Sequence, residues 1–184
     1  MIDRIESGRG WRIMRWTATA GLLLIPAVAM RFTVEVRWSA ADFAVMALPL
    51  AGAMGGYELL IRSGADGLYR AGAAITATGL FLLVWIAMAV GIVGDAGNAA
   101  NLMFALVVAT IVGGAIALRG SMTGMTHTLI AAAGVQLTLG IVALAGGMGR
   151  EGAGWPDDVI ALTGMFTACW LIAALAFRTA GRRA

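Results

Sequence analysis

Glu58 and His127 are the side chains best placed to carry a proton within apolar surroundings, and Cys169 is the only thiol. Glu58 lies near one end of the apolar run 40–61, and an acid inside a membrane helix is by default a functional candidate. Two plainer readings compete with a proton or cation site. Arg62 follows four residues later on the same helical face, in the favourable acid-before-base order, so the two can form a structural pair; a contact to a partner is the third reading. His127 opens another apolar run within Gly124-Met125-Thr126-His127-Thr128 and reads as a hydrogen-bonded interfacial residue or as a proton relay. Gln136 and Thr138 lie deeper in that run, suited to bonds across helices and, secondarily, to a polar substrate.

What is missing excludes more. All 13 basic residues are Arg, so no lysine can form a retinal Schiff base. One His rules out a bis-histidine haem within the chain, and His127 with Cys169 falls short of the ligand set of a zinc site. A single Cys leaves no internal disulfide. No Gly-x-Ser-x-Gly elbow is present, Ser39 is expected on the opposite membrane side from His127, and Ser121 adjoins His127 only through a loop. No catalytic set, metal site or cofactor is identified.

The most distinctive stretch runs from Val84-Trp85 through Gly91-Ile92-Val93-Gly94 to Asp95-Ala96-Gly97-Asn98-Ala99-Ala100-Asn101-Leu102-Met103-Phe104. Its glycines let one helix end tightly, and Asp95, Asn98 and Asn101 can cap the next. A cation held by the same groups is the alternative, though one carboxylate is thin for calcium. Trp85 and Trp170 lie deep in apolar runs, where each ring can anchor a protein, pigment or quinone surface.

These residues need elements to position them, and composition fixes the solvent those elements occupy. With 184 residues, 60% hydrophobic and 12% charged, and a mean hydropathy of +0.88, the chain has too much apolar surface for one soluble domain. Soluble domains carry roughly twice that charged fraction. A membrane-spanning helix takes about 20 apolar residues. The intervals between charges supply six such stretches, near 13–32, 40–61, 70–94, 99–118, 122–147 and 157–178. The expectation is an all-α polytopic bundle, one domain over 1–184.

The first stretch is the weakest. It is free of charge only from Trp16 to Met30, contains Pro26, and requires Arg15 and Arg31 to extend to the two interfaces. A signal peptide is the rival, with Arg4, Arg9, Arg12 and Arg15 as its basic region and Ala27-Val28-Ala29 as its cleavage site. The anchor-helix reading is preferred.

Six spans put both termini on one side. With the termini inside, Arg4, Arg9, Arg12, Arg15, Arg62, Arg70, Arg119, Arg178, Arg182 and Arg183 are cytoplasmic, and only Arg31, Arg37 and Arg150 are outside. Most acids fall outside: Glu35, Asp42, Asp95, Glu151, Asp157 and Asp158. Trp11, Trp16, Tyr57 and Tyr69 mark the inner boundary and Trp38 and Trp155 the outer one. The same topology explains a sequence pI near 10 without nucleic acid.

The helices read as three hairpins, each return opened by a polar residue: Asp42, Asn101 and Asp158. The near-equal spacing can record a repeated unit; ordinary helix starters are the stronger explanation. Gly52 and Gly56 form a GxxxG, and glycines spread over the other spans favour close helix packing.

Residues 84–104, with Met30-Arg31-Phe32-Thr33, Glu35-Val36, Trp38, Asp42-Phe43, Gly56-Tyr57-Glu58-Leu59, Arg119-Gly120 and Gln136, resemble a family of small multi-pass bacterial inner-membrane proteins of alphaproteobacterial type. That family has no assigned activity; the resemblance implies a six-helix layout in a bacterial inner membrane. Its members tend to be more acidic where this chain has Asp95-Ala96-Gly97, which weakens a metal reading further.

Three classes of function follow. A non-catalytic accessory or interaction subunit of a larger inner-membrane assembly needs a packed bundle and no reactive constellation, and it leads. A small-molecule or ion transporter or channel would use the sparse polar residues of the spans. A lipid-acting enzyme would have to work through Asp42, Asp95 and Asp158. Expected partners are membrane lipids and other membrane subunits, with pigment or quinone as further candidates.

Overall fold

The computed structural model describes residues 2–33, 37–62 and 66–183, with side chains from residue 10 onward. Glu35 and the side chains of Asp3, Arg4, Glu6 and Arg9 therefore lie outside the described residues. Seven α-helices and one 3₁₀ segment make up the regular structure, and there is no strand among the described residues. The helices are α1 (Ile2–Leu22), α2 (Leu24–Phe32), α3 (Ala40–Ile61), α4 (Gly67–Ala89), α5 (Ala105–Ala117), α6 (Met122–Ala145) and α7 (Asp157–Gly181), with the 3₁₀ segment at Ala99–Phe104. Six helical stretches are long and apolar enough to cross a membrane: Gly10–Phe32, Ala40–Ile61, Gly67–Ala89, Ala99–Ala117, Met122–Ala145 and Asp157–Gly181. The chain is an integral membrane protein.

Proline chemistry explains the break in the first span. Pro26 has no N–H and its ring crowds the carbonyl four residues back, at Leu22, where α1 ends. Pro49 is carried inside α3.

The chain divides into two compact units, Met1–Gly55 and Gly56–Ala184, where the sequence reads as a single bundle. In the first, α3 begins with a reciprocal cap. The Asp42 carboxylate accepts from the backbone N–H of Ser39 at 2.7 Å and its hydroxyl at 2.8 Å, while the Ser39 hydroxyl accepts from the Asp42 N–H at 3.3 Å.

The second unit holds the buried core. Small residues set its helix spacing. A Cβ at Gly79 would lie 2.8 Å from the Trp170 ring, and one at Gly72 would lie 3.0 Å from the Phe177 ring. Gly140 abuts Thr163, and Gly114 abuts Thr128. These pairs make α4 and α7, α6 and α7, and α5 and α6 antiparallel neighbours, with α7 between α4 and α6. By contrast, a Cβ at Gly52 or Gly56 would meet nothing within 4 Å among the described residues. Close packing thus rests on single glycines, each receiving a larger side chain.

One end of this unit gathers Tyr69, Gly120, the start of α6 and the end of α7. There Asp66 caps α4 by accepting from the Tyr69 N–H at 2.9 Å, Ser121 caps α6 by accepting from the Gly124 N–H at 3.2 Å, and the Tyr69 hydroxyl donates to the Gly120 carbonyl at 2.6 Å. The other end carries the two glycine-rich loops, 90–98 and 146–156.

Candidate functional site

The third span was expected to continue to residue 94, yet α4 stops at Ala89. The apolar run continues because Ile92 and Val93 are wholly buried, while the helix ends because Gly91 and Gly94 take φ of +92° and +68°. A buried non-helical segment must find partners for its backbone, and Asn101 supplies them. Its Oδ1 accepts from the N–H groups of Ile92 at 2.8 Å and Val93 at 2.9 Å. Its Nδ2 donates to the carbonyls of Asp95 at 2.8 Å and Val93 at 3.4 Å.

Asn101 is therefore a loop staple rather than the helix cap expected of it. The cap is Asn98, which accepts from the Ala100 N–H at 2.9 Å. Asp95 contributes its backbone carbonyl to the staple, and its residue is exposed. The second loop closes over the first through bare backbone: a Cβ at Gly149 would lie 2.5 Å from the Gly94 nitrogen, and one at Gly152 would lie 3.0 Å from the Gly94 Cα. Beside them the Arg150 guanidinium sits 5.2 Å over the Trp155 ring. Asp42 caps α3 and Asn101 staples a loop, whereas α7 begins at Asp157 after Pro156 with no side-chain cap.

A second set of polar groups lies in the middle of the unit. Gln136 is 0% exposed, and neither its Nε2 nor its Oε1 has a hydrogen-bond partner among the described residues. The same holds for Thr163 Oγ1, Thr167 Oγ1 and Trp170 Nε1 on α7. The Gly140–Thr163 contact sets their register, since one turn along each antiparallel helix brings Gln136 and Thr167 to one level. Thr163, Thr167 and Trp170 share a face of α7 at the i, i+4, i+7 spacing. Thr76 and Thr126 instead donate to carbonyls four residues back on their own helices.

Other sequence candidates are dispersed. His127 is exposed at the basic end, about 13 Å along α6 from Gln136 at 1.5 Å per residue. Glu58 is buried, 6% exposed, and Arg62 is exposed. Trp170 is 0% exposed, packed against Gly79 and stacked on Phe166 at 6.2 Å, so it anchors α7 to α4 and is not available as the partner anchor expected. Trp85 is 39% exposed and stacks on Phe81 at 5.9 Å and 19°. Thr78, Phe81, Trp85 and Met88 run along this outward face of α4. Between α4 and α7 the same flank opens into an apolar cleft of about 320 Å³ reached by Thr78, Leu82, Met165 and Cys169.

No group of three or more His, Cys, Asp or Glu converges to hold a metal among the described residues. The sequence reading missed the joint placement of Gln136 with Thr163 and Thr167. The signal was there as a run of hydroxyls at helical spacing in α7, without the register that brings them to Gln136.

Comparison of the chain with protein-family models, curated proteins and solved structures gives no match.

Proposed function

We propose that this protein is a non-catalytic accessory or interaction subunit of a larger assembly in a bacterial inner membrane, with both termini cytoplasmic. The observation that carries the reading is the stack of half-buried Phe81 on exposed Trp85, on the flank of α4 that also lines the apolar cleft toward α7. Stacked aromatic rings present large rigid area at little entropic cost, the composition of anchors at binding surfaces. The core of the Gly56–Ala184 unit is closed by Leu83, Phe104, Phe166 and Trp170, which favours a stiff scaffold. The occupant of the α4 face is another membrane helix, a pigment or a quinone, all recognised through apolar and aromatic contact. The distribution of Arg supports the orientation.

Extraction from native membranes in a mild detergent tests this. A stoichiometric partner should be retained by the unaltered protein, depleted by Trp85→Ala, and unaffected by Glu151→Ala at the glycine-loop end.

The Gln136 amide, without a hydrogen-bond partner among the described residues and level with Thr167 by helix register, favours a second reading, a transporter with a neutral polar site at mid-depth. Solute uptake by the protein reconstituted alone, abolished by Gln136→Leu, would promote it.

A further inference from the structure

At the basic end of the Gly56–Ala184 unit, the start of α6 and the end of α7 line a cleft of about 370 Å³. Thr123 and His127 line it from α6, and Arg178 and Arg182 from α7, one helical turn apart; Ile130 and Phe177 form its apolar wall. None of its lining residues is acidic. His127, Arg178 and Arg182 all line the cleft and are exposed. The cleft lies where two membrane-spanning helices end, which is headgroup depth.

We propose that this cleft binds the phosphate of an anionic phospholipid. Guanidinium groups present forked donors that match phosphate oxygens. The Thr123 hydroxyl and the His127 ring add donors to the same space. The apolar wall continues from the cleft along exposed Ile130 and Leu175 toward mid-membrane, the path an acyl chain needs and a free anion does not. Basic pockets between spanning helices recognise lipid headgroups in this way. The plainer account of Arg178 and Arg182 is a cationic helix terminus facing the helix dipole and the membrane surface. That account predicts no cleft-specific lipid.

The test is native mass spectrometry of the delipidated full-length protein, titrated with dioleoylphosphatidylglycerol or dioleoylphosphatidylcholine. One bound phosphatidylglycerol should be preferred by about thirtyfold, the order expected of two cations at a lipid headgroup. Arg178→Gln with Arg182→Gln should remove the preference. Arg62→Gln with Arg70→Gln, which removes the same charge elsewhere, should leave it. Arg178→Lys with Arg182→Lys should retain most of it, which separates lost charge from lost fold. Equal loss in the two Gln pairs, or no loss in the first, overturns the proposal. Displacement of the phosphatidylglycerol by inorganic phosphate at comparable concentration overturns the lipid source, making the site one for a free anion.

Discussion

Asn101 holds Val93 by both of its backbone groups, accepting from the N–H at 2.9 Å and donating to the carbonyl at 3.4 Å. Eight residues of sequence separate the two, and the bond pair is what lets a buried loop leave the helical ladder. Asn101→Leu should strand the N–H groups of Ile92 and Val93, each buried, at about 1–3 kcal/mol apiece. Thermal unfolding in detergent should show a loss near the sum. Asn98→Ala, which removes only the cap, should cost about 1 kcal/mol.

The glycine contacts predict paired effects. Gly140→Ala drives a methyl into Thr163 and should cost about 1–3 kcal/mol of overpacking. Adding Thr163→Ala should restore part of that stability, because its hydroxyl has no partner among the described residues to lose. Independent losses from the two substitutions would contradict the packing register.

Gln136 gives an effect of opposite sign. A wholly buried amide without protein partners costs about 1–3 kcal/mol, so Gln136→Leu should raise the unfolding temperature. A fall in stability would mean that the amide is satisfied in the folded protein.

Much of this architecture was legible in the sequence, for a simple reason. Charges and about 20-residue apolar intervals fix helix ends to within a few residues, and five of the six stretches begin or end where hydropathy and Arg place them. Residues 90–94 were not legible, because hydropathy reports burial and Ile92 and Val93 are buried without being helical. Depth was readable for Trp85 and Trp170, but azimuth was not. Only Gly79 on α4, opposite Trp170, shows that one ring faces inward and the other outward. Arg178 and His127 are far apart in sequence, and their shared cleft depends on the antiparallel register of α6 and α7.

Topology is tested by Gly97→Cys in a Cys169→Ala background. Gly97 is exposed and a Cβ there keeps 3.4 Å from the Asp95 carboxylate. An impermeant maleimide should label it from the periplasm. Labelling only after the cytoplasmic face is opened would reverse the orientation.

The most direct measurement of the interaction role is photo-crosslinking in native membranes with p-benzoylphenylalanine at position 85, and at exposed Gly164 on α7 as the comparison site. The account predicts a discrete stoichiometric adduct, protein or pigment, from position 85 and a weaker or absent one from position 164. Adducts to bulk lipid alone at position 85, together with solute transport by the protein reconstituted by itself, would contradict it.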